Sequence, residues 1–242
     1  MQYEGMVYRP PSEGDSVIIQ ATIGCPHNRC RFCNMFKEKR FRARKIEEIL
    51  DDIDRAGQIY DPRFVRTLFL ADGNTVFMRT ELLLRALERI REVFPHLERV
   101  TSYGSSRFMA QKPPGEWKEL REAGLSRIHC GMESGHDPLL KKVAKGCTMA
   151  DHIKAGQAVR AAGIELSMYF MAGLGGMEMS EGHARDSARV LNDVNPDFIR
   201  IRTFAPSEGT PMGDEFRAGE LSVMEPHDIL CANCAFWWSP WM

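Results

Sequence analysis

Short runs of apolar, β-branched and aromatic residues recur at Val17–Thr22, Thr67–Ala71, Val100–Tyr103, Ile128–Met132, Ile164–Met171 and Phe198–Thr203. Between them apolar residues return at helical spacing: Ile46, Ile49, Leu50 and Ile53; Leu82, Leu83, Ala86, Leu87 and Ile90; Trp117 and Leu120; Ile153 to Ala158; Ala184 to Leu191. This pattern predicts six strands alternating with helices. Strand starts lie roughly 30 to 50 residues apart, room enough for the helical crossover that parallel pairing requires. The expected fold class is therefore α/β with a parallel sheet.

Polar residues inside the strands fall at period two. Arg127, His129, Gly131 and Glu133 alternate with Ile128, Cys130 and Met132. Glu165, Ser167 and Tyr169 alternate with Leu166, Met168 and Phe170, and Phe198, Arg200, Arg202 and Phe204 with Ile199 and Ile201. Successive strand side chains point to opposite faces, so one face of the sheet is polar. With helices available to cover the other face, the polar one is expected to line a central cavity. Six such units make a partial (β/α) barrel, open on one side. No repeat, linker or shift in composition marks a second domain, so residues 1–226 are expected to form the barrel.

Composition narrows the class further. Hydrophobic residues make up 43% of the 242 and charged residues 27%, a globular mix that excludes disordered and fibrous chains. No apolar run approaches the ~20 residues of a membrane helix, and Met1 to Pro11 holds no secretory signal, so a soluble, cytoplasmic protein is expected. The net charge of -1 lacks the basic excess of a nucleic-acid-binding chain. A local exception runs from Lys37 to Lys45, with six basic residues and one acidic. Such a run is either a solvated face or a docking surface for an acidic one-electron donor or an anionic substrate.

The seven cysteines include a tight group directly after the first strand, where Cys25, Cys30 and Cys33 form a C-x4-C-x2-C loop. Soft thiolates select zinc or iron–sulfur clusters. Two readings stand on spacing alone. Zinc takes a closed set of four, with His27 as the fourth ligand, whereas a four-iron cluster on three cysteines leaves one iron open to chemistry. The loop's place, at the C-terminal end of the first parallel strand, is the face where β/α barrels carry their active sites.

At this point the sequence resembles the radical S-adenosylmethionine (SAM) superfamily, whose cluster loop follows the first strand of a six-unit partial barrel. The resemblance covers Tyr8 to Met212 and implies that Cys25, Cys30 and Cys33 ligate three irons of a 4Fe-4S cluster while SAM chelates the fourth. Phe32 fills the aromatic place before the last cysteine. The first gap is one residue longer than the family's commonest spacing, as in a branch of short members.

Further segments follow in the family's order. Asp72-Gly73, after the second strand, stands where Gly-Gly-Glu often meets the SAM amino group; the alternative is an Asp-Gly turn. Gly131-Met132-Glu133-Ser134 resembles the Gly-x-Glu-Ser segment of the methylthiotransferase and oxygen-independent coproporphyrinogen oxidase branches, which implies SAM contacts from Glu133 and Ser134. Met171 and Gly173 lie in a stretch like the one that backs the adenine. Ala205 to Met212 is similar to the Gly-Thr-Pro segment of several branches. Arg200 and Arg202 share an inward face and suit a SAM carboxylate, an anionic substrate, or interior salt bridges with a residue such as Glu165.

The resemblance implies an enzyme in which a reduced cluster cleaves SAM to a 5'-deoxyadenosyl radical that takes hydrogen from a substrate. It also implies a one-electron donor of flavodoxin or ferredoxin type. The substrate is not legible, and no single residue is singled out for the hydrogen abstraction. At the C-terminus, Cys231 and Cys234 form a C-x2-C pair with too few partners for a second metal, and residues 227–242 are expected to be an irregular tail.

Overall fold

In the computed structural model, which describes residues 1–237 with side chains through Ala232, the six anticipated strands form one parallel sheet. They are β1 (Val17–Gln20), β4 (Thr67–Ala71), β5 (Arg99–Gly104), β6 (Leu125–Glu133), β7 (Glu165–Ala172) and β8 (Phe198–Thr203), lying side by side in chain order. Every sheet neighbour is the next sheet strand in sequence, as repeated βαβ units require. No pairing joins β8 back to β1 among the described residues, so the sheet is a partial barrel, open between its first and last strands. The first predicted strand is shorter than the run Val17–Thr22. Its end belongs to β2 (Thr22–Ile23), which pairs antiparallel with β3 (Arg42–Ala43) and closes the base of the cysteine loop.

Helices cover the outer face. They include α1 (Ile46–Ile59), α2 (Thr80–Val93), α4 (Pro114–Glu122), α6 (Met149–Ala161) and α7 (Ser180–Val194), with short α3 (Ser106–Met109) and α5 (Asp137–Lys142) between strands and helices. The apolar stripe of each faces the sheet. Ile49 and Ile53 of α1, Leu83, Leu87 and Ile90 of α2, Trp117 and Leu120 of α4 and Val190 of α7 pack with Leu68, Leu70, Ile128, Leu166, Met168 and Phe170 in one buried core. Cys130 lies in this core, facing outward from the sheet as its alternation indicates.

The chain closes on itself at the cysteine loop. After β8, Thr210 caps α8 (Pro211–Arg217), the Met212 amide donates to the Arg31 carbonyl at 3.2 Å, and Arg31 pairs with Glu215. Residues from Pro226 onward differ from the irregular tail expected there: Pro226–Trp237 is helical (α9) and packs on α7, with Ile229 against the core. Cys231 is exposed. Cys234 and the terminal tryptophans lie outside the described side chains, so the expectation of no second metal at that end stays an expectation.

A cavity built on the cysteine loop

The C-terminal ends of the strands and the cysteine loop enclose a cavity of about 400 Å³. Cys25, Cys30, Cys33 and Phe32 form one wall; Gly73, Glu133, Met171 and Arg202 reach it from four different strand ends. Tyr103, His129 and Tyr169 line its inward side, as their strand alternation places them. Polar residues at period two thus do line a common interior.

None of the three loop cysteines is in a disulfide. Burial pushes the Cys30 and Cys33 thiols up, and the neighbouring thiols and Glu133 add to this, while Lys145 pulls the other way. Among the described residues no three His, Cys, Asp or Glu groups converge to hold a single ion. Three thiols on one cavity wall are soft ligands of the kind an iron–sulfur cluster takes, one thiolate per iron.

His27 lines the same cavity, but its ring nitrogens are taken. Its Nε2 donates to the Ala144 carbonyl at 2.7 Å, and its Nδ1 accepts from Arg107 Nη1 at 3.1 Å. Both ring nitrogens are engaged, so the imidazole clamps the cysteine loop to the segment after α5 and is not presented as a fourth zinc ligand.

Asp72 holds the loop from behind. Its buried carboxylate takes hydrogen bonds at Oδ2 from the Gly24 amide (3.1 Å), Gln20 Nε2 (3.1 Å) and Lys39 Nζ (2.8 Å), and it does not line the cavity. Gly73 does. A Cβ there would sit 2.9 Å from the Gly24 carbonyl oxygen and 3.1 Å from Cys25 Cβ, so only glycine lets the end of β4 abut the cysteine loop.

The end of β6 is irregular. Its register with β7 shifts between Gly131 and Glu133, and Glu133 takes the left-handed conformation at φ 64°. This turns the carboxylate back over Gly131, whose missing side chain leaves it room. Glu133 Oε1 accepts from Lys145 Nζ at 3.2 Å, and that ammonium also lies 5.8 Å from the Phe32 ring centre. Burial works against the Lys145 charge, but Glu133 and the thiols of Cys30, Cys147 and Cys130 outweigh it and hold the lysine above its usual range. Lys145 was not singled out in the sequence. It follows Lys141 and Lys142 of α5 in a short basic stretch, and only the fold brings it between the thiols and Glu133.

Ser134 and Gly173 support the cavity without lining it. Ser134 Oγ donates to His183 Nδ1 (2.8 Å) and accepts from the His136 amide (3.0 Å), while His183 Nε2 donates to the Met171 carbonyl (3.0 Å). This chain ties the end of β6 to the end of β7. Gly173, at φ +81°, faces Ile229 of α9. Arg200 lies beside the Phe198 ring outside the cavity lining. The Glu165 partner considered for it is instead bonded to Arg127, at 2.7 Å.

The family model for the radical SAM superfamily matches residues 19–186, well over half of the chain and every segment just described up to α7. The chain belongs to the radical SAM superfamily. Radical SAM proteins are enzymes that use a 4Fe-4S cluster and SAM, and the residues on this cavity wall fit that cluster. An uncharacterized protein of Methanocaldococcus jannaschii is 31% identical over 139 residues, 57% of this chain and 35% of that protein. Coproporphyrinogen III oxidase of Escherichia coli shares the fold with a TM-score of 0.66 at 18% identity, over 91% of this chain and 51% of the other. The radical SAM methyltransferase TsrM of Kitasatospora setae, solved with cobalamin and a [4Fe-4S] cluster, gives 0.65 at 19% identity, over 84% and 39%. This chain therefore spans about a third to a half of the length of these relatives.

Proposed function

We propose that this chain cleaves SAM reductively in the 400 Å³ cavity and directs the product at a bound substrate. The observation that carries the reading is that one cavity gathers three unpaired thiols together with Gly73, Glu133, Lys145 and Met171. Bound together, the cluster and SAM supply a one-electron cleavage that yields methionine and a 5'-deoxyadenosyl radical able to abstract hydrogen. The protein's part is ligation, orientation and exclusion of water. Cys25, Cys30 and Cys33 hold the cluster. The Glu133–Lys145 pair offers a carboxylate and an ammonium to the ammonium and carboxylate of an amino acid, and Met171 and Phe32 give apolar surface beside them. Asp72, Ser134 and Gly173 act from the supporting layer, and Arg200 from beside the Phe198 ring.

Electrons enter from outside. Part of the basic run is already paired within the chain: Lys39 with Asp72 and Arg44 with Asp52 in buried pairs, and Arg42 with Glu4 on the surface. Lys37, by contrast, is exposed and donates to the carbonyls of Asn28 (2.9 Å) and Cys30 (3.3 Å) on the outer side of the cysteine loop. With exposed Arg29 and Arg40 it forms a positive face suited to an acidic flavodoxin- or ferredoxin-type donor. Such donors and such clusters belong to a reducing compartment, the cytoplasm.

The test is anaerobic reconstitution with iron and sulfide, then incubation with SAM and dithionite. The expected result is about four irons per chain, slow formation of 5'-deoxyadenosine, and loss of both on Cys25→Ala, Cys30→Ala or Cys33→Ala. His27→Asn should keep its iron. A fully loaded, reducible cluster that yields no deoxyadenosine overturns the proposal.

A further inference from the structure

The last strand of the sheet, β8, is left open on two sides. By register Ile199 stands beside Met168 of β7, and Ile201 beside Phe170. Met168 and Phe170 are buried beneath the outer helices, at 1% and 0% exposure, whereas Ile199 and Ile201 are 41% and 61% exposed. The helix that follows β8 does not cover them: α9 packs on α7 and leaves both side chains open. The edge of β8 away from β7 is also unpaired among the described residues. The other end of the sheet is better protected, because at β1 the Tyr3 hydroxyl donates to the Ile18 carbonyl at 2.9 Å and the Glu4 amide to Gln20 Oε1 at 2.8 Å. On the inward face of β8, Arg200 carries a buried Nε with no hydrogen-bond partner, and no carboxylate pairs with it among the described residues. Its neighbour is the Phe198 ring, at 5.4 Å, and Glu165 is taken by Arg127.

An open edge strand is a template for a further strand, and charges that point inward from it select what can pair there. We infer that β8 docks an extended segment of another protein, acidic at positions that face inward and apolar at positions that face outward. The segment continues the sheet through main-chain hydrogen bonds. Its carboxylate answers Arg200, and its apolar side chains pack beside Ile199 and Ile201 as cross-strand neighbours. A second copy of this chain is a poor occupant, because pairing through β8 would bring two basic faces, each with Arg200 and Arg202, against one another. Residues 238–242 carry no acidic side chain and cannot answer Arg200 either. Arg200, Ile199 and Ile201 lie outside the cavity lining, so the inference stands apart from the radical SAM reading.

The experiment uses the full chain and two short peptides with blocked ends, one alternating valine with glutamate and the other valine with lysine. Binding is read by fluorescence anisotropy of the labelled peptide, and protection of β8 by hydrogen exchange and mass spectrometry. Saturable binding of the glutamate peptide alone is expected, with slower exchange across Phe198–Thr203 in its presence. Arg200→Gln should weaken binding roughly tenfold or more. A double variant, Ile199→Ser with Ile201→Ser, changes only exposed side chains and should weaken it severalfold. Arg217→Gln, a surface charge on α8, should bind as wild type. Absent binding, equal binding of the two peptides, or binding that neither the Arg200 nor the isoleucine variant weakens overturns the inference. So does slow exchange across β8 in the protein alone: in a monomer it would mean that the chain covers its own edge, and in a dimer by sedimentation that a second copy does.

Discussion

At the scale of single residues, two carboxylates that the sequence suggests for the same cofactor sit in different environments. Glu133 faces the cavity and shares a hydrogen bond with Lys145, whereas Asp72 is fully buried behind the cysteine loop on Gly24, Gln20 and Lys39. Glu133→Gln is expected to leave iron content intact and weaken SAM binding by roughly tenfold, because a hydrogen bond between charged groups contributes about 1.5–3 kcal/mol. Equilibrium binding of SAM to loaded protein checks this. Asp72→Asn should behave differently: Lys39 loses its buried counter-charge, so cluster occupancy and thermal stability fall together. If Asp72→Asn keeps its iron and its midpoint while losing SAM, the carboxylate reaches SAM after all. Both residues were legible as polar groups at strand ends. Which one enters the cavity was not, because that depends on the chain turn at Glu133, whose φ of 64° no local pattern announces.

At the scale of elements, the strand ends are shaped by glycines that meet different kinds of neighbour. A Cβ on Gly73 would press on backbone, the Gly24 carbonyl at 2.9 Å, and on the Phe36 ring at 2.9 Å. A Cβ on Gly131 would fall on the far end of the Glu133 side chain. Gly73→Ala is therefore expected to shift the cysteine loop and lower iron loading, while Gly131→Ala loads normally and loses SAM affinity as Glu133 is pushed aside. Iron analysis and SAM binding on the two variants separate these outcomes; equal iron loss in both would refute the distinction. The strands and the helices α1, α2, α4, α6 and α7 were legible from periodicity because each buries one face against the same core. The short β2–β3 pair was not. Two-residue strands carry no period, and theirs forms only because the far end of the loop returns to Thr22 and Ile23.

At the scale of the whole molecule, acid should loosen the fold before it reaches the carboxylates. Burial depresses His183 to about 4 and His152 to about 3, so both are neutral in the folded chain. Below pH ~6.5 the unfolded chain binds protons that the folded one does not, and stability falls as pH falls. From pH 6.5 to 5 this amounts to about 1.5 kcal/mol per histidine. Glu13 responds lower down: burial would raise it, but hydrogen bonds from His129 and Ser16 and the Arg99 charge bring it to about 2. Its contribution is present above pH ~4.5 and lost as pH drops toward 2. Denaturant unfolding at pH 7, 6 and 5 should show the midpoint falling, with a shallower fall in His152→Asn. A flat profile across that range would contradict the buried neutral histidines.

By itself the sequence determined the α/β class, the six strands, the polar inward face and a C-x4-C-x2-C loop at the end of the first of them. These follow from periodicity, from the handedness of βαβ units and from the spacing of thiols, all local properties of the chain. Only the tertiary structure decided which groups share the cavity. It brought in Lys145, Arg9 and Tyr103, buried Asp72 and Ser134 beside the cavity, engaged His27 with Ala144 and Arg107, and set Arg202 over the Tyr169 ring. The physical reason is that charge pairing and burial depend on distances between elements far apart in the chain. Glu165 shows it plainly: alternation placed it beside an arginine, and the register of β6 with β7 made that arginine Arg127, leaving Arg200 free of it.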